Sequence, residues 1–237
     1  MDFRAAIPVP ASCDAEYNAR SLPLYLSSLR SSGAEPVVIA EEFSQVDIAR
    51  LLRRTDGVLL PGSRFDVDPE RYGAARELEC GPADPQRTAV DELLLQDAFN
   101  LQKPVLAICH GAQSLNVFCG GSMVQDLKTS VVHRADRALH EAHPVRLEPG
   151  SRLFGLLPAK AGGQVQVNST HHQAISLAGG NLRIAAVSPG DGVIEAVESR
   201  SDSHFVVAVQ WHPERTYVQS AFSRAIFSAF MEALRGR

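Results

Sequence analysis

Short apolar runs along the first half of the chain stop abruptly at small or polar residues. Ala5–Val9, Pro36–Ala40, Gly57–Pro61 and Pro104–Ile108 have strand length, and helix-like patterns separate them over 20–32 and 87–101. Strands alternating with helices predict βαβ units and a parallel sheet. Within 87–101, Val90, Leu93, Leu94, Asp97 and Leu101 fall near one helical face, mostly apolar. The second half has another rhythm. Pro144–Leu147, Gln164–Val167, Leu182–Val187, Val193–Val197 and Phe205–Val209 read as strands joined by turns, Pro189-Gly190-Asp191-Gly192 being the clearest turn. A last helix is expected from about Thr216 to Leu234. The pattern predicts an α/β fold: an open, mostly parallel sheet flanked by helices, with antiparallel strands added in the C-terminal half. With no interdomain linker, one domain over residues 1–237 is expected. Segment 63–86, rich in Pro, Asp, Arg and Gly, reads as a long loop over the C-terminal edge of the sheet, where open α/β sheets bind ligands.

Composition narrows the function. Hydrophobic residues make up 45% and charged residues 21%, enough apolar side chains for a sizeable core. A net charge of −4 predicts no basic face for nucleic acid or anionic membrane. No apolar run reaches membrane-spanning or signal-peptide length. Cys13, Cys80, Cys109 and Cys119 lie far apart without a C-x-x-C pair, unlike a disulfide framework or a zinc knuckle. A reducing cytoplasm is the expected compartment.

The strongest chemical signal is Lys103-Pro104-Val105-Leu106-Ala107-Ile108-Cys109-His110-Gly111-Ala112-Gln113. An apolar strand ends in a cysteine, and a small-residue turn opens an amphipathic helix, the arrangement of a nucleophile elbow. A sulfur at a helix N-terminus is expected to favour the thiolate. A second apolar strand runs into Gln210-Trp211-His212-Pro213-Glu214 and should deliver His212 and Glu214 to the same sheet edge. Cys109, His212 and Glu214 then have the residue types of nucleophile, base and orienter. Gln113, one helical turn beyond Cys109, should share its face. His171-His172 hints at metal, but sequence neighbours seldom converge on one ion and no third ligand is spaced for it, so no metal and no cofactor are expected.

These residues sit within a longer series: Leu60-Pro61-Gly62, Asp66-Val67-Asp68-Pro69, Tyr72-Gly73, Cys109-His110-Gly111, Gln113, Leu115-Asn116-Val117, Gly120-Gly121, Val167-Asn168-Ser169, His171-His172-Gln173, Asp191-Gly192-Val193-Ile194-Glu195-Ala196 and Gln210-Trp211-His212-Pro213-Glu214. In order and over nearly the whole chain, the series resembles class I glutamine amidotransferase-like hydrolases, and within them the γ-glutamyl-γ-aminobutyrate hydrolase group of the peptidase C26 family. The resemblance implies a flavodoxin-like core and a Cys109-His212-Glu214 triad. It implies an oxyanion hole from the backbone N–H of His110 and of Gly62, with Ser63 as the alternative to Gly62. It also implies substrate contacts from Ser63, Gln113, His171, His172 and Gln173.

The chain departs from the family pattern at Gly62-Ser63-Arg64-Phe65, where glycines are commoner, and at His110, where arginine or leucine is usual. Arg64 thereby becomes a candidate for the pocket. Asp66, Asp68 and Tyr72 match the family loop without an assignable chemical step; Asp66 and Asp68 are expected to fix it through local turn hydrogen bonds. The implied activity is hydrolysis of a γ-glutamyl amide through a γ-glutamyl thioester. A glutaminase subunit feeding ammonia to a synthase partner would use the same residues, and a non-catalytic ligand-binding module could share the fold. The amine half of the substrate is not legible, and a homodimer is the self-assembly to look for.

Overall fold

A computed structural model describes residues 3–40, 42–158 and 162–236. Its parallel core is β1 (Phe3–Pro8), β2 (Ala34–Ile39), β3 (Gly57–Leu60), β4 (Val105–Ile108) and β11 (Val206–Val209), in spatial order β2-β1-β3-β4-β11. The sheet continues antiparallel through β10 (Ile194–Ser199), β9 (Leu182–Val187), β6 (His143–Leu147) and β7 (Gln164–Val167). A short pair, β5 (Ser122–Val124) with β8 (Ala174–Leu177), joins β10 at Ile194. The expected parallel sheet with an antiparallel C-terminal extension is therefore present.

Alternation along the strands explains the layering. Ala5, Ile7, Leu59, Leu106, Ile108, Val207 and Val209 face a core built with α1 (Ala15–Ser32) and α6 (Ala221–Arg235). Ala6, Val58, Leu60, Val105, Ala107, Val206 and Ala208 face the other core, built with α2 (Gln45–Leu52), α3 (Pro85–Leu101) and α4 (His110–Phe118). Both faces of β3, β4 and β11 are buried, which is why they read as continuous apolar runs. A single turn of helix, α5 (Arg152–Gly155), completes the elements.

Two features depart from the sequence pattern. The last helix starts at Ala221 rather than Thr216, with Ser220 accepting from the Ser223 N–H as its cap. The buried face of α3 is Arg87, Asp91, Leu94, Leu95 and Ala98, not the face of Val90, Leu93, Asp97 and Leu101. The reason is an ion pair inside the core. Arg87 Nε lies 2.7 Å from Asp91 Oδ1, and the two side chains are 1% and 0% exposed. The guanidinium also donates to the carbonyls of Val9, Pro10 and Pro61, tying α3 to the ends of β1 and β3.

That clamp makes a testable prediction. Asp91→Ala leaves a buried guanidinium without its counter-charge and is expected to cost about 3–5 kcal/mol. Thermal unfolding should show a Tm lower by roughly 10 °C for a chain of this size. A loss within the range of a surface substitution would show that Arg87 is neutralised by its carbonyls alone.

Candidate active site

β4 and β11 are parallel neighbours in the register Ile108↔Val209. Their next residues therefore emerge side by side, and the Cys109 N–H donates to the Val209 carbonyl at 2.8 Å. Cys109 has φ 53 and ψ −111, a left-handed conformation unusual for a residue with a side chain. It is the sharp turn the sequence predicts between a strand and a helix. Close packing enforces it, because a Cβ on Gly111 would overlap the Leu60 carbonyl of β3. Only glycine lets α4 start so close to the sheet.

His212 and Glu214 leave the end of β11 and are both buried. His212 Nδ1 is 2.8 Å from Glu214 Oε1, which orients the ring and leaves Nε2 for chemistry. Asn168 grips the same residue by its backbone, accepting from the His212 N–H and donating to its carbonyl, each at 2.8 Å. Arg215 braces the carboxylate at 3.5 Å and donates to Thr170 Oγ1. Gly62 lies between the two arms. A Cβ there would be 3.0 Å from His212 Cε1 and 3.4 Å from Cys109 Cβ, so the imidazole and the cysteine flank one small space.

The resting charge state differs from the expectation of a thiolate. Burial pushes the Cys109 thiol up to about 12, and the Glu214 charge adds to the rise; Arg215 and the His110 N–H oppose it. Burial and the Arg215 charge hold His212 down to about 4 despite Glu214. Burial works against charge on Glu214 as well, but His212 and Arg215 bring its carboxyl below the ordinary range. Desolvation thus favours the uncharged thiol and the uncharged imidazole, against the pull of the helix N-terminus toward thiolate.

A cavity of about 160 Å³ opens over the elbow. Cys109, His110, Ser63, Gln113, His171, His172 and Gln173 all border it, so most of the residues expected at the site converge there. Gly62, His212 and Glu214 are not among its walls, and the Gly62 N–H is already given to the buried Tyr25 Oη at 3.0 Å. Gln113 Nε2 donates to the Gln173 carbonyl and to Gln210 Oε1. Gln173 Oε1 is buried without a hydrogen-bond partner, an acceptor left over beside the cavity. Arg64 does border the cavity, anchored on Asp14 Oδ2. Arg134 stands on the wall too, and no sequence motif marked it.

The loop residues are sorted by their contacts. Asp66 is tied to distant partners, the Gly81 N–H and His172 Nε2, rather than to a local turn. Asp68 does make the local bond, capping the turn at the Glu70 N–H. The Tyr72 hydroxyl is buried without a partner. His110 is buried and its imidazole is held down to about 3 by burial and the nearby Arg87 charge.

The histidine pair splits. His172 lies between Asp66 and Asp126, at 3.0 and 3.1 Å. His171 turns inward, its Nδ1 2.9 Å from the Gln173 carbonyl and its Nε2 3.7 Å from Glu195. His133 and His143 approach the same carboxylate from far along the chain. The two neighbouring histidines thus do not converge, as expected; the groups that gather with His171 alone are His133, His143 and Glu195, which no sequence spacing connects to it. No helix among the described residues is long and apolar enough to cross a membrane.

Comparison with known proteins agrees with this architecture. The peptidase C26 family model matches residues 11–214. The γ-glutamyl-γ-aminobutyrate hydrolase PuuD of Escherichia coli is 34% identical over 219 residues, covering 88% of this chain and 84% of its own length. Protein NtpR of Enterococcus hirae is 30% identical over 214 residues, covering 88% of this chain and 87% of its own. Among solved structures, a Thermoplasma acidophilum protein assigned to GMP synthase superposes with a TM-score of 0.66 at 17% identity, over 100% of this chain and 96% of the other.

Proposed function

We propose that this chain, which belongs to the peptidase C26 family, hydrolyses γ-glutamyl amides through a thioester on Cys109. The observation that carries the reading is the strained Cys109 elbow, which borders a polar cavity and shares the space around Gly62 with the buried His212–Glu214 pair. As Sγ attacks the γ-carbonyl carbon, its proton passes to His212 Nε2. The His110 N–H is one donor to the resulting oxyanion. With the Gly62 N–H given to Tyr25, the second donor is Ser63, whose residue borders the cavity. His212 returns the proton to the departing nitrogen, the C–N bond breaks, and the free amine leaves. A water that gives its proton to His212 then attacks the thioester, releasing glutamate and restoring the thiol. No cofactor takes part in these steps.

The polar walls suit a glutamyl group. Gln173 Oε1 is an unpaired buried acceptor for the substrate α-ammonium, while Arg64 and Arg134 bring positive charge for the α-carboxylate. The name of the relative PuuD supplies the first amine to try, γ-aminobutyrate. The direct test is glutamate release from γ-glutamyl-γ-aminobutyrate, other γ-glutamyl amines and glutamine. Turnover of an amine conjugate in preference to glutamine supports a stand-alone hydrolase. Turnover of glutamine alone, rising with a synthase partner, would overturn it.

The charge state predicts the pH profile. His212 must be neutral to accept the proton, so activity rises with pH through about 4; the thiol stays protonated up to about 12. The kcat/KM is expected to be flat between about pH 6 and 8. A resting thiolate–imidazolium pair would instead lose activity when its imidazolium deprotonates. A falling limb within that window would therefore contradict the neutral pair.

A further inference from the structure

We infer that His133, His143, His171 and Glu195 form a closed site for one divalent cation of the zinc type. The four residues come from separate segments: the loop after β5, the start of β6, the β7–β8 loop and β10. All four are buried, and one ligand atom from each lies within 4.8 Å of every other. Glu195 Oε1 is 3.1 Å from His133 Nδ1, 3.6 Å from His143 Nε2 and 3.7 Å from His171 Nε2. Tetrahedral zinc with bonds near 2.0–2.1 Å places its ligand atoms about 3.3 Å apart. The last two spacings are too long for N–H···O hydrogen bonds but close to the edges of such a tetrahedron.

The outer nitrogens fix the tautomers. His143 Nδ1 and His171 Nδ1 face the carbonyls of Pro144 and Gln173, which only accept, so each carries its hydrogen there. His133 Nε2 does the same toward the Asp191 carboxylate at 2.9 Å. Held this way, the three rings turn their other nitrogens inward, onto one carboxylate. Those three nitrogens and both Glu195 oxygens lack hydrogen-bond partners. Buried polar atoms gathered around one carboxylate at these spacings are the setting in which a shared cation is favourable. Outer hydrogen bonds donated to carbonyls and a carboxylate are also the support that metal-bound histidines use.

Three nitrogens and one oxygen, all buried, make a four-coordinate cage without an open position, which fits a structural rather than a catalytic ion. The site is built apart from the cysteine. Its placement still matters to the cavity, because His171 and its neighbours form one wall, and the Glu195 carbonyl accepts the Gln210 N–H two residues before His212.

The test uses the full chain and does not depend on its activity. Purified protein is expected to retain one zinc per chain through gel filtration, by elemental analysis. After stripping with a chelator, cobalt(II) should give the visible bands of tetrahedral coordination. Added zinc should raise the Tm of the stripped wild type by at least about 5 °C when present far above its Kd. His143→Ala should hold at least about tenfold less metal and show no zinc-dependent Tm rise, while Cys109→Ala binds normally. Stripped wild-type protein that shows neither cobalt bands nor a zinc-dependent shift overturns the site, whatever the variants do, and leaves a carboxylate–histidine network held by protons.

Discussion

Cys109→Ala is expected to lower kcat for glutamate release by about 10⁶-fold, the scale seen when a triad nucleophile is removed. The covalent route then has no attacking atom. Binding and oxyanion donors alone leave a residual rate about 10³–10⁴-fold above the uncatalysed reaction. The fold should survive, because the bond from this residue to the Val209 carbonyl is made by the backbone and Ala keeps the Cβ beside Gly62. Calorimetry with an unhydrolysed γ-glutamyl amide should still detect binding, since no cavity-wall side chain other than Cys109 is altered. Activity within tenfold of wild type would remove the thioester from the mechanism. Loss of binding together with activity would mean that the variant had disturbed the cavity, and circular dichroism would show it.

Glu214→Gln is the second large effect, an expected fall of about 10³–10⁴ in kcat. The side chain keeps its size, so packing is nearly unchanged. What disappears is the negative charge beside His212 Nδ1. Without it, a buried imidazole already pressed toward its neutral form by Arg215 has nothing to stabilise the proton it receives from sulfur. An amide can also present its NH₂ to Nδ1 and hold the ring in the wrong tautomer. The Asn168 bonds to the backbone remain, so the ring should stay in place while losing basicity. Restoration of most of the rate by Glu214→Asp would indicate that charge matters more than reach. A kcat within tenfold of wild type for the glutamine variant would reduce Glu214 to a packing residue.

The parallel strands were legible because burial on both faces writes an uninterrupted apolar run, and the elbow because a strand that stops at Cys109 must turn. The α3 face was not legible. Arg87 and Asp91 occupy the buried side, so the inward stripe is partly polar and an apolar count selects the wrong one. α2 has only eight residues, too few for a periodic signal to stand out. Residues brought to the cavity by the motifs, such as Gln113 and Gln173, were found at once. Arg134 and Arg215 were not, since a lone arginine has no spacing to give it away. The same holds for His133 and His143, which acquire meaning only when β6 and the loop after β5 are brought against β10.

The uncharged resting thiol has a consequence outside turnover. Peroxides and other soft electrophiles react with thiolate, so susceptibility to oxidation follows thiolate character and exposure. Cys109 is 5% exposed and protonated until the proton is drawn toward His212. On the proposed mechanism its nucleophile is created by the substrate's arrival and is dormant at other times. Oxidative damage to Cys109 is then expected to accrue chiefly during turnover rather than while the protein waits for substrate, so peroxide should inactivate it faster with substrate present than without.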